Sequence, residues 1–305
     1  MTSVIPTRFC VLASGSNGNC TLVEHGEQRL LIDIGIGPRV LTRRLGEIGL
    51  NVSDLSHVLL THEHGDHIRG LDALLARQPK LTIHCGPGTA KFLGESTVGH
   101  IEIVRPDRDM AVGPMQISTF AVSHDAASPL GFRIETPAAT LAYATDLGTY
   151  DDAVLRHLDG ADALILEANH DATMLRNGPY ASFLKTRIAG PKGHLSNDQS
   201  MALLAQVLHS RLRHVIFAHR SAVNNSDEAI DKSLETSGLA SESFTWQVAS
   251  RRGPLPPVTL DATPHGPPSD DGPAPNGNDE RPENGATSLP QEIQTMLPFP
   301  TNLAW

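Results

Sequence analysis

The sequence predicts an α+β fold in which two mixed β-sheets pack together with helices on their outer sides. Apolar stretches at hairpin spacing fill residues 7–34, and later stretches alternate between strand and helix periodicity. Hydrophobic residues make up 39% of the chain but aromatic residues only 4%, so the core must be aliphatic. Hairpins combined with strand–helix alternation favour two sheets over a single parallel sheet.

Each element is predicted from its periodicity and its flanking residues. A glycine-rich turn, SGSNGN, separates the first two strands, and Pro38 suits the first turn of a helix that runs to about Ile48. The predicted strands lie near 7–12, 20–25, 29–34, 57–61, 82–84, 101–104, 116–122, 130–135, 139–144, 162–167, 214–218 and 244–248. The predicted helices lie near 38–48, 68–75, 149–158, 180–188, 196–210 and 227–236.

A change in composition at Gly253 predicts a domain boundary, with a folded domain over 1–252 and a disordered tail over 253–305. The tail holds 12 of the 22 prolines and carries seven acidic residues against one basic residue. Such a segment buries too little apolar surface to offset the entropy lost on ordering. The tail accounts for −6 of the net charge of −10, which leaves −4 for the folded domain. Its apolar end, TMLPFPTNLAW, is a candidate docking motif for a protein partner.

The stretch LLTHEHGDHIRG, residues 59–70, places His62, His64, Asp66 and His67 within one turn after an apolar strand. Residues 62 and 64 face the same way on an extended segment, and the next two fall where a helix begins. Imidazoles crowded together resist ionisation, but neutral nitrogens and anionic oxygens are the ligands that divalent metals prefer. The stretch therefore predicts two groups of ligands for two metals.

Three further residues close apolar strands and extend this ligand set. His124 follows FAVS, Asp146 follows LAYAT, and His219 follows HVIFA. Strand ends converge at one edge of a sheet, so these side chains are expected beside the histidine-rich turn. Three ligands would hold one ion and three the other, with Asp146 between them, and zinc accepts such nitrogen and oxygen ligands.

These motifs, preceded by Asp33 in LLIDIG, resemble the motif series of the metallo-β-lactamase-fold hydrolases. The resemblance implies a four-layer αββα sandwich, two divalent ions (zinc or manganese), and a supporting, non-ligand role for Asp33. Over about residues 7–225 the stretches LASGSNGNC, SHDAASPLGF, LEANHD and KGHLSN resemble the YycJ/WalJ (VicX) branch more closely. The resemblance implies these metal ligands: His62, His64, Asp66, His67, His124, Asp146 and His219.

Other branches of this fold fit less well. The β-lactamases carry cysteine at the fourth motif, where Asp146 stands. The tRNA 3′-processing enzymes have a long arm between the third and fourth motifs, but His124 and Asp146 are too close in the sequence to hold one. Glyoxalase II has a helical C-terminal domain in place of the acidic tail. The YycJ branch implies a phosphodiesterase, and most directly a DNA exonuclease of 5′ to 3′ polarity.

The expected chemistry assigns roles to residues beside the ligands. Two ions sharing a water lower its pKa toward about 7, so a bridging hydroxide is the expected nucleophile, with Asp66 at its side. His194, in KGHLSN, resembles the histidine that protonates the leaving group in related tRNA-processing enzymes. Glu167 is its candidate partner, and His170 is a candidate for contacting substrate or orienting a ligand.

Two segments are candidates for binding the substrate. The loop SGSNGN could offer backbone N–H groups to a phosphate, through Ser14, Gly15, Ser16, Asn17 and Gly18. The densest basic stretch flanks residues 170 and 194 and could line a nucleic-acid groove, although a solvated helix face explains it equally well. This stretch contains Arg176, Lys185, Arg187 and Lys192.

Two other functions remain open from the sequence. A small-molecule hydrolase acting on a thioester or a cyclic phosphodiester could use the same centre, and a closed apolar pocket would favour it. A regulatory accessory of a two-component signalling system would not need the complete ligand set. The N-terminus lacks signal-peptide features, no apolar run is long enough to span a membrane, and the three cysteines contain no C-x-x-C pair. We therefore expect a cytoplasmic protein without membrane contact.

Overall fold

The structure is a computed structural model that describes residues 4–250 and 253–262. Within these ranges the strands form two seven-stranded sheets. The first sheet has the order β14-β1-β2-β3-β4-β5-β6 and the second the order β13-β12-β11-β10-β9-β8-β7. The predicted pair of mixed sheets is confirmed, because both sheets contain parallel and antiparallel neighbours.

The first sheet is built mainly from the N-terminal half of the chain. Its strands are β1 (Thr7–Ala13), β2 (Cys20–His25), β3 (Gln28–Ile32), β4 (His57–Leu59), β5 (Thr82–Cys85), β6 (Ile101–Ile103) and β14 (Val258–Leu260). The second sheet contains β7 (Asp109–Val112), β8 (Met115–Ala121), β9 (Leu130–Glu135), β10 (Thr140–Ala144), β11 (Ala163–Glu167), β12 (His214–Ala218) and β13 (Thr245–Val248).

Helices cover the outer face of each sheet. The α-helices are α1 (Pro38–Glu47), α2 (Gly65–Ile68), α3 (Leu71–Leu75), α4 (Asp152–Leu158), α5 (Ala172–Asn177), α6 (Ser182–Ile188), α7 (Asn197–Val207) and α8 (Asp227–Thr236). Short 3-10 segments occupy Val52–Asp54, Thr89–Phe92, Glu95–Thr97 and Leu239–Ser241. Pro38 begins α1 as expected, and Ser196 caps α7 by accepting a hydrogen bond from the N–H of Gln199.

The core is divided into three apolar layers that follow the alternation of the strands. In β1, Phe9 and Val11 point between the sheets, whereas Cys10 and Leu12 pack under the helices of the first half. The second sheet repeats this pattern, with Ile165 between the sheets and Leu166 under α4 and α7. Since both faces of each sheet are covered, the order of layers is αββα, as the resemblance implied.

Besides the 3-10 segments, two strands and one α-helix of the described residues were absent from the sequence prediction. These are the short, partly exposed strand β7, the helix α5, which Asp171 caps, and the strand β14. The last element corrects the predicted boundary at Gly253, because β14 pairs with β1 from Thr7↔Leu260 to Phe9↔Val258. Its valine and leucine pair in an edge position although the surrounding composition is typical of a tail.

The acidic tail beyond residue 262, with its predicted docking motif, lies outside the described residues. In the part of the chain that the structure describes, no helix has the length and apolarity that a membrane crossing requires.

Candidate metal centre

The residues singled out by the sequence gather at the carboxyl ends of strands from both sheets. From the first sheet, β3 leads to Asp33, and β4 leads through Thr61 into the histidine-rich turn. From the second sheet, β10 leads to Asp146 and β12 to His219. Strands that share a direction end at the same edge, which explains how residues almost 190 positions apart in the sequence come together.

The first group of potential ligands consists of His62, His64 and His124, each of which offers a ring nitrogen within 4.8 Å of the others. The His62 Nε2 and His64 Nδ1 atoms are 3.0 Å apart, and His124 Nε2 lies 3.3 Å from the same His64 nitrogen. His64 precedes α2 in extended conformation, so its ring turns back toward that of His62.

The second group consists of Asp66, His67 and His219, whose ligand atoms also lie within 4.8 Å of one another. The Oδ2 atom of Asp66 is 3.6 Å from Nε2 of His67 and 3.6 Å from Nε2 of His219. Asp66 and His67 come from α2, whereas His219 follows β12, so this group joins the two sheets.

Asp146 lies between the two groups. Its Oδ1 atom is 3.3 Å from Nε2 of His219 and 3.8 Å from Nε2 of His124, and its Oδ2 atom is 3.6 Å from Nε2 of His67. Asp146 Oδ2 and His219 Nε2 are buried and have no hydrogen-bond partner within the described chain. Converging nitrogens and carboxylate oxygens with unused lone pairs fit a divalent cation, so the cluster is compatible with a divalent metal site.

The local charges pair within the cluster. Burial alone would raise the pKa of Asp66 and of Asp146, but the neighbouring imidazoles outweigh it and hold both below the ordinary range. Burial would likewise lower the pKa of His219, yet Asp146, Asp66 and Glu167 raise it to about 10. A cation among these carboxylates would take over the stabilising role of the imidazole protons.

Asp33 supports the histidine-rich turn from behind. Its Oδ2 atom lies 2.8 Å from Nδ1 of His67, and its Oδ1 atom accepts a 2.8 Å hydrogen bond from the backbone N–H of Thr61. Asp33 is fully buried and does not belong to either group of potential ligands. By accepting the proton on Nδ1, the carboxylate directs Nε2 of His67 toward Asp66 and Asp146.

Glu167, at the end of β11 in the second sheet, supports His194 and His219 as Asp33 supports His67. Its Oε1 atom lies 2.9 Å from Nδ1 of His194 and 2.8 Å from Nδ1 of His219. Its Oε2 atom accepts hydrogen bonds from the backbone N–H groups of Leu147 and Leu195. Burial would raise the pKa of Glu167, but the two histidines outweigh it and keep the carboxylate ionised.

His194 borders the cluster and keeps access to solvent. Its ring centroid is 5.1 Å from that of His124 and 5.1 Å from that of His219, and its side chain is 19% exposed. His170, in contrast, is 2% exposed, and its nitrogens join none of the ligand groups found in the described residues. Its carbonyl accepts a hydrogen bond from Asn197, so the segment around His170 pairs with the segment that carries His194.

The loop SGSNGN uses several of its groups internally. Ser14 Oγ accepts a 2.6 Å hydrogen bond from the backbone N–H of His219, and the N–H groups of Gly15 and Gly18 donate to the Asn19 side chain and to the Gly15 carbonyl. Ser16 and Asn17 are the exposed part of the loop. The predicted phosphate nest is therefore narrower than the sequence indicated, because the amides of the two glycines are already bonded.

Sequence reasoning missed residues that contact the side chains or the backbone of the potential ligands. Asn19 Nδ2 lies 3.1 Å from His67 Nε2 and 3.4 Å from an Asp66 carboxylate oxygen, and Asn169 Nδ2 donates to the carbonyl of His219. Gly35 packs so closely on the Asp66 carbonyl that an added Cβ would lie 1.6 Å from its oxygen. Asn19 closes the glycine-rich loop before β2, and Asn169 follows β11 by two residues, so their positions in loops beside strands were the available signal.

Comparisons with known proteins agree with this geometry. The family model described as a β-lactamase superfamily domain matches residues 28–219. The chain is 34% identical over 232 residues to "Exodeoxyribonuclease WalJ" of Streptococcus pneumoniae serotype 2 (strain D39 / NCTC 7466), covering 74% of this chain and 86% of the relative. It is 35% identical over 240 residues to "Exodeoxyribonuclease YycJ" of Bacillus anthracis, covering 76% and 90%.

A solved structure supports the fold independently. The metallo-β-lactamase fold protein YhfI from Bacillus subtilis matches with a TM-score of 0.62 at 19% identity, over 84% of this chain and 99% of that one. Two helix-covered sheets with a histidine and aspartate cluster at the strand ends define the class of metallo-β-lactamase-fold proteins. The chain belongs to this superfamily and, within it, to the YycJ/WalJ-like family.

Proposed function

We propose that the protein is a dinuclear metal-dependent phosphodiesterase that acts as a DNA exonuclease of 5′ to 3′ polarity. The observation that carries the proposal is the position of Asp146, whose two oxygens face one histidine of the first ligand group and two of the second. The names of the WalJ and YycJ relatives support DNA as the substrate. Zinc and manganese both suit this donor set.

The proposed ligands would divide between two ions. His62, His64 and His124 would hold one ion, and Asp66, His67 and His219 would hold the other. The oxygens of Asp146 lie near histidines of both groups, so Asp146 could contribute to both sites. When bound, such a pair of ions activates water and neutralises charge on the phosphate oxygens. Asp66, whose side chain is 22% exposed, stands at the open side of the cluster, where its second oxygen can orient that water.

His194 is the proposed general acid. Glu167 accepts a hydrogen bond from its Nδ1, which holds the ring in place. The side chain remains partly exposed and adjoins both ligand groups, so Nε2 can deliver a proton to the leaving oxygen. His170 is assigned an orienting role, because the segment around it pairs with the loop that carries His194.

The surface beside His194 suits a polyanion. Residues 172–197 contain four basic residues and no acidic one, in a chain whose net charge is −10. Such a local excess of positive charge attracts a phosphate backbone even when the whole protein is acidic.

The three cysteines are buried free thiols, which supports a reducing compartment such as the cytoplasm as the place of the reaction.

The test is direct cleavage of labelled DNA. The metal-loaded protein is incubated with 5′- and 3′-labelled single-stranded and duplex DNA, beside the variants Asp66→Ala and His194→Ala. We expect stepwise release from the 5′ end and loss of activity in both variants. Asp162→Asn is a matched control, because Asp162 is a buried carboxylate next to the amino-terminal end of β11, whereas Glu167 of the candidate metal centre lies at its carboxyl-terminal end. Cleavage of a thioester with no release from any DNA would contradict the proposal.

A further inference from the structure

Three exposed arginines lie on the helices that cover the first sheet, beside the histidine-rich turn. They are Arg39 on α1, Arg69 directly after α2, and Arg77, which follows the end of α3 by two residues. None of the three forms an ion pair with a carboxylate in the part of the chain that the structure describes. Their positive charges are therefore not neutralised by neighbouring side chains, although the chain as a whole carries a net charge of −10.

Arg69 is held at the rim of the candidate metal centre. It follows the potential ligand Asp66 by three residues, and its backbone N–H donates to the carbonyl of Gly65 in the same turn. Its Nη1 atom donates a 3.1 Å hydrogen bond to the carbonyl of Asn17, in the exposed part of the SGSNGN loop. A neutral carbonyl orients the guanidinium without cancelling its charge, and it leaves the remaining N–H groups to an anion.

Helical backbone leads from the potential ligand Asp66 toward Arg77. The two residues that join α2 to α3, Arg69 and Gly70, are both in the right-handed helical region, and so is Ala76 at the end of α3. At a rise of 1.5 Å per residue, Arg77 therefore lies up to about 16 Å along the helix from Asp66. Neighbouring phosphates of one DNA strand are about 3.4 Å apart along the duplex axis, so this distance corresponds to up to about five phosphates.

Thr42 on α1 connects the third arginine to the other two. Arg77 Nη1 donates a 3.0 Å hydrogen bond to Thr42 Oγ1, which itself donates to the carbonyl of Pro38 at the start of α1. Arg39 precedes Thr42 by three residues, so the Cβ atoms of these two residues are about 5 to 6 Å apart on the same side of the helix. The arginine surface, defined as Arg39, Arg69 and Arg77, therefore extends from the rim of the metal centre over α1 and α3.

Two acidic residues on the same helices are bonded to other partners. Asp72 Oδ1 accepts a 2.5 Å hydrogen bond from Ser96 Oγ, and Glu47 Oε1 lies 3.6 Å from Nε of Arg43. The exposed pair of Arg43 and Glu47 is neutral as a whole, so it neither adds to the arginine surface nor cancels its charge. Three uncompensated charges of one sign at the edge of a cleft attract a polyanion and raise its rate of association.

We infer that the arginine surface binds the phosphate backbone of the DNA strand beyond the nucleotide that is being removed. The inference rests on the proposed function and adds a surface on the first sheet to the basic stretch at residues 172–197. Arg69 faces a phosphate near the metal centre, and Arg77 faces one up to about five positions further along. A planar guanidinium matches the oxygens of a phosphate, and such contacts position a strand without reading its sequence.

The test measures the salt dependence of DNA binding separately from cleavage. Fluorescence anisotropy reports binding of the metal-loaded protein to labelled DNA of about 20 nucleotides, whose phosphorothioate linkages resist cleavage. Each phosphate contact contributes about 0.7 to 0.9 to the slope of log K against log salt concentration. The triple variant Arg39→Gln, Arg69→Gln, Arg77→Gln should therefore reduce the magnitude of this slope by about 2 to 3, equally for two unrelated sequences. Arg69→Lys keeps the charge and should keep the wild-type slope.

The length of the DNA provides a second comparison. An oligonucleotide of about three nucleotides in the metal centre is too short to reach Arg77, so Arg77→Gln should weaken binding of the long DNA only. Arg211→Gln is the matched control, because Arg211 is also exposed and also donates to a backbone carbonyl, that of Gly160. Arg211 lies before the amino-terminal end of β12, whereas His219 follows its carboxyl end. Its removal changes the net charge equally and should leave the slope unchanged.

Three results would overturn the inference. These are an unchanged slope in the triple variant, an equal reduction by Arg211→Gln, and equal weakening of the short and the long DNA by Arg77→Gln. Elemental analysis accompanies each measurement, and if the triple variant loses metal, Arg77→Gln alone decides, because its side chain contacts Thr42 and no potential ligand. Wild-type protein that cleaves DNA with a slope independent of the arginines refutes only this inference. Arginine-dependent binding without cleavage of any DNA contradicts only the proposed function.

Discussion

The substitution Glu167→Gln tests how the second sheet prepares the candidate metal centre. Oε1 of Glu167 receives the Nδ1 protons of His194 and His219, and Oε2 receives two backbone N–H groups. Glutamine has one oxygen and one NH₂ group at these positions, so it cannot accept on both sides. If the glutamine oxygen accepts the two backbone hydrogen bonds, its NH₂ group faces Nδ1 of both imidazoles. Each Nδ1 must then accept a hydrogen bond, so the proton of each ring moves to Nε2.

That shift removes the lone pair of His219 that points into the cluster. The affected atom, His219 Nε2, lies 3.3 Å from Asp146 Oδ1 and has no hydrogen-bond partner among the described atoms. Loss of such an orienting partner weakens metal binding by about 10- to 100-fold, which corresponds to about 1.4 to 2.8 kcal/mol. In the opposite orientation, the glutamine NH₂ group faces the two backbone N–H groups and leaves both of these buried donors unpaired. This orientation destabilises the fold by about 1 to 3 kcal/mol for each donor.

The assay is competition for metal between the protein and a chelator of known affinity, followed by elemental analysis of the protein. Urea unfolding of the same samples measures the free energy of unfolding, which falls only in the orientation that leaves the backbone donors unpaired. Asp162→Asn is the control, because Asp162 accepts a hydrogen bond from the N–H of Thr140 at the far end of the sheet. It should lower stability without altering metal affinity. Metal affinity of Glu167→Gln within about twofold of wild type, at unchanged stability, would refute the orienting role.

Three further outcomes are expected. His194→Ala should lower kcat on DNA by about 100- to 10,000-fold, with the metal content by elemental analysis unchanged, since His194 Nδ1 is engaged by a carboxylate behind the cluster. Asp33→Asn should reduce bound metal in the same chelator assay and lower the Tm by calorimetry, because its Oδ2 atom lies 2.8 Å from Nδ1 of His67. Burial and the neighbouring His57 lower the pKa of His84 from 6.5 to about 4. Between pH 6.5 and 4 the His84 side chain is protonated in the unfolded chain but not in the folded chain. The contribution of His84 to the free energy of unfolding is therefore fully present above pH 6.5 and falls by up to about 3 kcal/mol as the pH drops to 4. Urea unfolding at pH 7 and 4.5 should show a smaller loss for His84→Gln.

The histidine-rich turn and its strand-end partners were predictable because their signals are local. HVLLT fixes a strand, the ligands follow at its end, and the same arrangement recurs before Asp146 and His219. Parallel strand ends must share an edge, so convergence followed from the predicted sheets without knowledge of the packing. The two sheets and most of their strands were predictable for the same reason, since alternation and apolar runs depend on short windows of sequence.

The remaining features depend on contacts that no short window contains. Asn19 reaches His67 across 48 residues, and its role depends on how two loops meet at the edge of the first sheet. β14 adds a short edge strand from a segment whose average composition is typical of a tail. The pairing is favourable because β2 leaves the other edge of β1 with unpaired backbone groups. The internal bonding of Gly15 and Gly18 also depends on the fold, because a glycine-rich turn in sequence does not reveal which amides are already used.

Backbone strain provides an independent reason to regard this cluster as functional. Four described residues other than glycine have positive φ, and three of them are Asp33, Asp146 and His219, at 61°, 60° and 53°. A left-handed backbone at such residues costs about 1 kcal/mol or more at each position, and the surrounding structure must impose it. Each of the three lies one or two residues after the end of a strand, and its side chain contacts other residues of the cluster. Glycine would relieve the strain at any of these positions but would remove either a donor atom of the cluster or the carboxylate that orients one. The same unfavourable conformation thus recurs in both sheets at residues whose side chains belong to the cluster or support it, as is typical of functional sites.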